Sequence, residues 1–493
     1  MESSRNSRRR PSDATDAVAA AVRETLRTAA SLFHAGDGDQ RREPPDPITV
    51  GIAYSGGIDS TVLLHALAES HRAEPIRLVA LHVHHGLSPN ANTWRDHCNR
   101  VCDALAIEFD CEEIALSGLG SVEGEARALR YAALERLCAR HRVEVLMTAH
   151  HADDQAETVL LNLLRGAGLR GIAATARHRM LGGVHLMRPL LGVPAATLRA
   201  WAESRGLAFV DDESNMDRRY TRNALRHDTM PAIRRIFPAC ATRMAQAAAH
   251  AAETEALLDE IGREDLRAGG EAESAGGLDI ETLRNCSRPR AANAMRVWLR
   301  DHALRAPSAA ALAEMLDQIL TSRQGAQIEL IHESRALRVY RGRLYLGSYV
   351  DPQAAQVPPS TPIFWNGEAV VDCPAWAGRL MFRAVEPCGA NLGVAESLLR
   401  GVPLSLRARQ GGERLRERLS GPSRTLKNLY QERSIAPWQR ERLPLMYAGD
   451  RLVFAARLGM DARALTAAGG ERVFEIAWDA WEPQHLLETH NAG

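Results

Sequence analysis

The fold of this chain is decided by residues 48–67, ITVGIAYSGGIDSTVLLHAL. The apolar run Ile48–Tyr54 predicts a buried strand, and Ser60–Ser70 predicts a helix. Between them lies the hexapeptide Ser55–Ser60, with two adjacent glycines and one carboxylate. A helix N-terminus that directly follows a strand presents free N–H groups and a partial positive charge. The stretch therefore predicts a phosphate-binding loop.

The hexapeptide contains the donors and the metal ligand that a nucleotide needs. Its two glycines allow the backbone to approach a phosphate closely, and its two serine hydroxyls can donate to one. Its aspartate would repel a phosphate unless Mg²⁺ lies between them, and carboxylate oxygens are good magnesium ligands. The Gly-Lys-Ser/Thr ending of a Walker loop is absent. The predicted ATP-binding residues are Ser55, Gly56, Gly57, Ile58, Asp59 and Ser60, with Asp59 as the Mg²⁺ ligand.

Strands and helices alternate after this loop. Further strands are predicted at Arg77–Val83, Ile107–Ile114 and Val143–Thr148. The helices between and after them are predicted at Thr93–Leu105, Gly124–His141 and Ala156–Arg165. Short apolar strands that alternate with helices indicate an α/β domain with a doubly wound, Rossmann-like parallel sheet, covered on both faces.

Past residue 236 the alternation stops. A long helix is predicted at Thr242–Arg267, followed by three short helices, and Gln327–Glu333 with Leu337–Leu346 predicts a hairpin. We therefore expect a mainly helical middle domain and a small mixed α/β domain at the C-terminus. The predicted division is a tail, helix and linker (1–47), a catalytic domain (48–236), a connecting helix (237–270), a substrate- or tRNA-binding domain (271–350) and a C-terminal domain (376–493).

Composition limits the classes of partner. The 493 residues contain 61 basic and 61 acidic side chains, so an RNA-binding site must come from local clusters of cations. The eight cysteines contain no C-x-x-C pair, which disfavours a zinc ribbon and favours a reducing compartment. No apolar run reaches the ~18 residues of a membrane span. We expect a cytoplasmic protein with no membrane partner.

Thr148–Leu164, TAHHADDQAETVLLNLL, begins where a predicted strand ends. Asp154 and Glu157 are three residues apart, so they lie on one face of the helix that follows. Two carboxylates there could hold a cationic substrate and accept its proton. Two alternatives stay open: a cluster that only caps the helix, and a metal site made of His150, His151 and Asp153.

Arginines mark two further stretches. Arg127 and Arg130 lie one turn apart on a predicted helix, a position where arginines are usually only solvated. Phe209–Arg226, FVDDESNMDRRYTRNALR, combines acids, Asn and Arg in a segment typical of a site lining or an RNA contact. A plain surface loop is the alternative for this segment.

Taken together, these stretches resemble the tRNA(Ile)-lysidine synthases, one branch of the PP-loop ATP pyrophosphatases. The resemblance covers residues 48–231 and extends to residues 422–444, whereas the middle region matches in pattern more than in letters. Its motifs are SGGIDS, HVHHGL, EAR-x-x-RY, TAHHADDQAET, RGAGLRGI, RPLL and DDESN-x-D-x-x-Y-x-RN. Many members have Asn where this chain has His84, which leaves the adenine contact at that position undecided.

The resemblance implies a reaction. Such enzymes adenylate O2 of the wobble cytidine in the isoleucine tRNA with anticodon CAU, and free L-lysine then attacks C2 and expels AMP. Decoding thereby changes from AUG to AUA. The resemblance implies that Arg130 steadies the adenylated base and that Asp154 and Glu157 bind lysine. With Asp59, these are the predicted catalytic residues.

Two alternative functions share part of this pattern. A PP-loop tRNA thiolase would use the same base adenylation, but the cysteine pair that such enzymes generally need is missing. A non-catalytic RNA-binding protein is disfavoured because Asp59, Arg130, Asp154 and Glu157 are intact. A homodimer is one assembly to be tested.

The C-terminal region has a basic cluster. Between Arg407 and Arg442 there are nine Arg and one Lys against four acids, which matches the electrostatic footprint of a phosphate backbone. Tyr430 and Trp438 lie within it and could stack on a base, although internal packing suits Trp438 better and a solvated face is the alternative for the whole cluster. The predicted tRNA-binding residues are Arg222, Arg226, Arg424 and Lys427, the last being the only lysine of the chain.

Overall fold

The structure is a computed structural model that describes residues 11–34, 47–71, 76–84, 90–115, 122–211, 213–268, 277–322, 328–349, 360–385, 392–467 and 471–481. The predicted tail (1–10) and most of the linker (35–46) lie outside these residues. The chain forms two compact units, Met1–Glu264 and Asp265–Gly493. No helix among the described residues has the length and apolar character needed to cross a bilayer.

The first unit alternates strands with helices, as the sequence predicts. Its strands are β1 (Ile48–Ala53), β2 (Ile76–His84), β3 (Glu108–Glu113), β4 (Val145–Met147), β5 (His178–Leu181) and β6 (Val184–Met187). Its helices are α1 (Pro11–His34), α2 (Ile58–His71), α3 (Ala91–Leu105), α4 (Val122–His141), α5 (Ala152–Leu164), α6 (Leu169–Ile172), α7 (Ala195–Ser204), α8 (Thr221–Ala224), α9 (Met230–Ile236) and α10 (Cys240–Ala268), the last of which ends just past the unit boundary. A π-helical turn, Leu225–Thr229, joins α8 to α9.

The six strands form one sheet in the order β3-β2-β1-β4-β6-β5. All neighbours are parallel except β5, which pairs antiparallel with β6. The doubly wound fold predicted from the sequence is confirmed. Since β2 lies on one side of β1 and β4 on the other, the strand order reverses at β1. In open α/β sheets the carboxyl ends of the strands at such a point form the ligand crevice.

Two hydrophobic cores cover the two faces of this sheet, as expected from the period of two in a strand. On β2, Leu78 and Ala80 face a core that also contains Trp201 of α7, whereas Val79 and Leu81 face a core with Leu137 of α4. Helix α7 and the hairpin β5–β6 were not predicted, because four-residue strands and a ten-residue helix carry little periodic signal.

The second unit begins with helices on a small antiparallel sheet. The elements are β7 (Leu278–Asp279), α11 (Ile280–Arg284), α12 (Arg288–Asp301), α13 (Ala309–Leu320), β8 (Glu329–His332), β9 (Arg335–Tyr340) and β10 (Arg343–Ser348), with sheet order β7-β10-β9-β8. The predicted hairpin is present as the antiparallel pair β8–β9, but the prediction of one strand over Leu337–Leu346 is wrong. The chain reverses at Arg341 and Gly342, where φ is 50° and 75°, so a second hairpin runs from β9 to β10.

The C-terminal part contains two five-stranded antiparallel sheets, ordered β11-β15-β18-β19-β20 and β12-β13-β22-β14-β21. Trp365, Phe382, Leu406 and Phe474 belong to the core that joins them. The elements are β11 (Ser360–Ile363), β12 (Val370–Cys373), β13 (Gly378–Val385), β14 (Leu392–Ala395), α14 (Glu396–Gly401), β15 (Leu404–Arg407), β16 (Arg414–Leu415), β17 (Arg424–Thr425), α15 (Leu426–Glu432), α16 (Pro437–Arg440), β18 (Leu445–Ala448), β19 (Arg451–Ala455), β20 (Gly459–Met460), β21 (Leu465–Ala467) and β22 (Val473–Ala480).

Candidate active site

The predicted phosphate loop connects β1 to α2 at the carboxyl edge of the sheet. Gly56 has φ +84°, and a Cβ there would lie 2.8 Å from Cys98 Sγ, so the fold itself requires glycine. A Cβ on Gly57 would meet only ordinary contacts, the nearest being Ser55 Oγ at 3.6 Å. The fold therefore does not require glycine at position 57, which is consistent with space kept for a ligand.

Hydrogen bonds hold the loop in place. Ser55 Oγ lies 3.1 Å from Ser60 Oγ, and Ser60 Oγ donates to the Gly57 carbonyl at 2.9 Å. The Gly56 carbonyl accepts from Val210 N at 2.9 Å and from Thr61 Oγ1 at 3.2 Å. These hydrogen bonds within the chain restrict the loop, and a pre-organised loop lowers the entropic cost of binding a nucleotide.

Across the reversal point, His151 caps helix α5 directly after β4. Its backbone N–H donates to Asp154 Oδ2 at 3.1 Å, and the Asp154 N–H reaches His151 Nδ1 at 3.3 Å. A cap formed by His151 and Asp154 is therefore present, and it does not involve Glu157. It leaves Asp154 Oδ1 available for other partners.

His151 also connects the phosphate loop to α5. Its Nε2 lies 3.5 Å from Asp59 Oδ2 and 3.5 Å from Asp154 Oδ2. Burial lowers the pKa of His151, but the hydrogen bond to Asp59 and the charges of Asp154, Asp59 and Asp153 outweigh burial and raise that pKa to about 9. A protonated ring cannot accept at Nδ1. At neutral pH the carboxylates favour the charged ring, so the long contact to the Asp154 amide contributes little.

Asp154 and Glu157 lie opposite two arginines from the α8–α9 segment. We call these four residues the carboxylate–arginine cluster. Glu157 accepts from Arg222 Nε at 2.8 Å and from Arg226 Nε and Nη2 at 2.6 and 2.9 Å. Asp154 Oδ1 accepts from Nη2 of both arginines at 3.0 Å. Burial raises the pKa of Asp154, but the charges of His151, Arg222 and the other nearby cations lower it overall.

The carboxylate–arginine cluster contains the two arginines, Arg222 and Arg226, that the sequence predicts to bind tRNA. Glu157 has only 3% of its side chain exposed, and the two negative charges match the two positive ones. Arg222 lies on α8 and Arg226 on the π-helical turn, a rare feature that is often found at functional sites. That they bind tRNA stays a prediction, since their charges are compensated here by carboxylates.

The remaining predicted catalytic residues lie near this crevice or on the helix beside it. Asp59 is in the first turn of α2 with 36% of its side chain exposed, so its carboxylate is accessible to a Mg²⁺ ion that phosphates would also ligate. Arg130 lies exposed on α4. One turn earlier, the Arg127 guanidinium lies 5.4 Å from the centroid of the Tyr131 ring.

The metal site proposed as an alternative is not supported. Asp153 Oδ2 accepts from Ala195 N at 2.7 Å, and its other oxygen contacts Arg234, so it anchors α7 and α9. His150 Nδ1 lies 2.9 Å from Thr148 Oγ1. Within the described part of the chain, no three metal-binding side chains converge.

Three residues at this edge carry features that the sequence analysis did not use. His151 was considered only as a metal ligand. Arg188 follows β6 directly, has 2% exposure and donates Nη1 to the Ala176 carbonyl at 2.6 Å. His84 ends β2 with 9% exposure, and its Nε2 has no hydrogen-bond partner among the described residues. The position of Arg188 directly after a strand is the signal that could have identified it.

Some cations of the C-terminal basic cluster are paired or buried, so fewer are available to RNA than the sequence indicates. Arg424 Nη1 donates to Glu432 Oε2 at 2.8 Å, and Arg440 is buried, donating to the Ile435 carbonyl at 2.6 Å. Lys427 is exposed in the first turn of α15. The cations in the cluster that are exposed and, within the described residues, have no carboxylate partner are Arg414, Arg418, Lys427 and Arg442.

The two aromatic residues of that cluster serve packing. The idea that Tyr430 stacks on a base is wrong: its ring is fully buried and its hydroxyl donates to the Ala456 carbonyl at 3.1 Å. Trp438 packs edge-on against Tyr340 and Tyr345, with ring centroids 5.9 and 6.1 Å away. This agrees with the packing alternative for Trp438.

The thiols near the loop are unsuited to sulfur chemistry. Cys98 and Cys102 are buried beneath the loop, and burial raises the pKa of each thiol to about 12. Because the thiolate is the reactive form, these side chains are inert at neutral pH.

Known protein families match all three parts of the chain. The PP-loop domain matches residues 38–233, the TilS substrate binding domain residues 278–345 and the TilS substrate C-terminal domain residues 404–478. A solved U34-tRNA thiolase from Methanococcus maripaludis aligns with 48% of this chain and 80% of its own at 18% identity, with a TM-score of 0.40. That likeness is too low to bear on the choice of chemistry.

Two relatives are similar over almost the whole chain. The tRNA(Ile)-lysidine synthase of Burkholderia pseudomallei is 41% identical over 475 residues, covering 90% of this chain and 95% of the relative. The tRNA(Ile)-lysidine synthase of Ralstonia nicotianae is 42% identical over 442 residues, covering 87% and 92%. This chain therefore belongs to the tRNA(Ile)-lysidine synthase family.

Proposed function

We propose that this protein is an ATP-dependent ligase that joins free L-lysine to C2 of the wobble cytidine in the isoleucine tRNA with anticodon CAU. The observation that carries the proposal is the position of His151, with Nε2 3.5 Å from both Asp59 and Asp154. One imidazole thus spans the phosphate loop and the carboxylates, so a nucleotide and a cationic substrate can meet between them.

ATP binds with its pyrophosphate portion on Ser55–Ser60. Asp59 would hold a Mg²⁺ ion, which would supply positive charge to the leaving pyrophosphate. His84 contacts the adenine, because its buried Nε2 lacks a partner within the described residues and lies at the same edge of the sheet. A neutral imidazole can make one of the hydrogen bonds that an Asn amide would make.

In the first step, O2 of the cytidine attacks the α-phosphorus. A new P–O bond forms, the bond between the α- and β-phosphates breaks, and pyrophosphate leaves. Arg130 stabilises the charge on the adenylated base. The charged His151 ring lies between Asp59 and Asp154 and offsets the repulsion between their carboxylates.

In the second step, Asp154 and Glu157 bind the lysine side-chain ammonium. Because Arg222 and Arg226 pair with these carboxylates, lysine must displace one guanidinium as it enters. The amine has a reference pKa of ~10.4, so a carboxylate takes its proton before attack. The nitrogen then bonds to C2, and AMP leaves with the former O2.

Mass spectrometry of the tRNA tests the proposal. An unmodified CAU-anticodon isoleucine tRNA is incubated with enzyme, ATP, Mg²⁺ and lysine, digested and analysed by nucleoside mass. We expect the cytidine to gain one lysine less one water, with one AMP and one pyrophosphate released per tRNA. Without lysine, pyrophosphate release should stop at about one equivalent. Exchange of oxygen for sulfur in the presence of a sulfur donor, or no change at all, would refute the proposal.

Several further features belong to this proposal. The division of the chain at residues 47, 236, 270 and 376 describes a catalytic domain, a connecting helix and two tRNA-binding domains. Lys427 and Arg424 contact tRNA phosphates in the C-terminal domain. The enzyme acts in the cytoplasm, where its tRNA substrate lies, and a homodimer is a testable assembly.

A further inference from the structure

Part of the first unit is unusually free of acids. Residues 158–202 and 229–252 contain nine arginines and not one Asp or Glu, in a chain whose acidic and basic residues are equal in number. The structure brings these two stretches together, because Leu160 and Leu161 of α5 pack with Ile233 of α9 and Met244 of α10 in one small core.

Apolar side chains continue this core to the surface. Leu164 follows Leu160 and Leu161 by one helical turn and is 74% exposed, while Ile236 and Phe237 follow Ile233 by one turn and are 73% and 64% exposed. Large apolar side chains grouped at the rim of a core mark an interaction site more often than a solvated face.

Four exposed arginines flank these side chains. Arg165 follows Leu164, Arg235 precedes Ile236, and Arg243 precedes Met244. Arg170 lies on α6, which is fastened to α5 by a hydrogen bond from Asn162 Nδ2 to the Gly171 carbonyl at 2.7 Å. Within the described part of the chain, none of the four pairs with a carboxylate.

We infer that this surface binds the anticodon loop of the substrate RNA, with the arginines on phosphates and Phe237 stacked on an unpaired base. Arginines without neighbouring acids favour an anionic partner, and unpaired RNA bases are commonly stacked on exposed aromatic rings. The inference rests on the proposed function and says where on the catalytic unit the RNA is held.

The distance to the site suits such a loop. Leu164 follows Asp154 by ten residues on α5, which is about 15 Å at 1.5 Å per residue. At about 3.4 Å per stacked nucleotide, that distance corresponds to about four nucleotides. A loop held at this surface can therefore reach the carboxylate–arginine cluster with a base a few positions away.

Paired variants of the full-length protein test the inference. Arg165→Ala with Arg170→Ala, and Arg235→Ala with Arg243→Ala, are compared with Arg23→Ala plus Arg27→Ala. The control removes the same charge from an exposed face of α1. Binding of the unmodified tRNA is measured by fluorescence anisotropy without ATP or lysine, between 50 and 300 mM salt. Over this range the Debye length falls to roughly half or less.

We expect each surface pair to weaken binding about tenfold at 0.15 M salt and to reduce the log–log salt slope by about 1.4, since two phosphate contacts are lost. Phe237→Ala should weaken binding about fivefold or more without changing the slope, whereas Phe33→Ala, an exposed phenylalanine on α1, should not. Arg-to-Lys versions should keep the slope.

Two outcomes overturn the inference. One is an affinity and a salt slope equal to those of the α1 control in folded variants. The other is unchanged RNA affinity with a loss of self-association in light scattering, which would assign the surface to a second copy of the chain. Failure of the proposed function is distinguishable, because tRNA could then bind here and still gain no lysine.

Discussion

Replacing Glu157 by Gln is the sharpest test of the lysine site, because Gln keeps the shape of the side chain and removes its charge. Glu157 accepts three hydrogen bonds at 2.6–2.9 Å from Arg222 and Arg226. With Gln at this position, each bond changes from a hydrogen bond to a charged group, worth ~1.5–3 kcal/mol, to a neutral hydrogen bond, worth ~0.5–1.5 kcal/mol. An incoming lysine ammonium loses at least one such bond and one of two carboxylate charges, so about 1.4–3 kcal/mol of its binding is lost.

That loss corresponds to a rise in the lysine KM of about 10- to 100-fold, since 1.4 kcal/mol is tenfold. The ATP KM should change less than threefold, because no atom of Glu157 is bonded to the phosphate loop. The assay is AMP release at saturating tRNA, with lysine and ATP varied in turn. Glu203→Gln, an exposed carboxylate on α7, is the matched control.

Two results would contradict this reasoning. Equal increases in the two KM values would mean that Glu157 only supports the fold around the crevice. An unchanged lysine KM in a folded variant would mean that lysine binds elsewhere. A urea unfolding curve for each variant separates a loss of fold from a loss of binding.

Three other changes have expected outcomes. Asp59→Asn should keep the fold and reduce pyrophosphate release at least a hundredfold, as judged by a phosphate-coupled assay; near-normal release would remove its magnesium role. Changing Lys427 and Arg424 to Ala should weaken tRNA binding and flatten its salt slope by up to about 1.4. Deletion of everything after Ala375 should weaken tRNA binding more and leave ATP binding intact. An unchanged slope in the double variant would show that neither cation touches RNA. The pKa of His151 is raised in the fold, so its stabilising effect is complete below pH ~6.5 and is lost as the pH rises through about 9. The free energy of unfolding should therefore fall by up to about 3 kcal/mol between pH 6 and pH 9.5, relative to the His151→Gln variant. Parallel curves for the two proteins would rule out a charged ring.

Local sequence was enough to predict the phosphate loop and the helix that carries the carboxylates. A strand, a turn and a helix within 20 residues determine where the loop N–H groups lie, and a separation of three places Asp154 and Glu157 on one helical face whatever the rest of the chain does. The parallel sheet followed equally well, because alternation of short apolar runs with helices has few other solutions.

Partners distant in sequence were beyond such reasoning. Arg222 and Arg226 reach Glu157 across 65 and 69 residues, and nothing in the local pattern separates an arginine bound to a carboxylate from one bound to a phosphate. Tyr430 shows the same limit, because burial depends on how α15 packs over the C-terminal core and not on its neighbours in sequence.

What the sequence by itself determined is therefore the chemistry that each short segment offers: a loop for phosphates, two carboxylates on one face and clusters of cations. The tertiary structure alone decided which of these groups face one another. It set His151 between Asp59 and Asp154 and the two arginines on Asp154 and Glu157. The physical reason is that local geometry spans only a few residues, whereas electrostatic compensation of a buried charge depends on whichever segment the fold brings within about 3 Å of it.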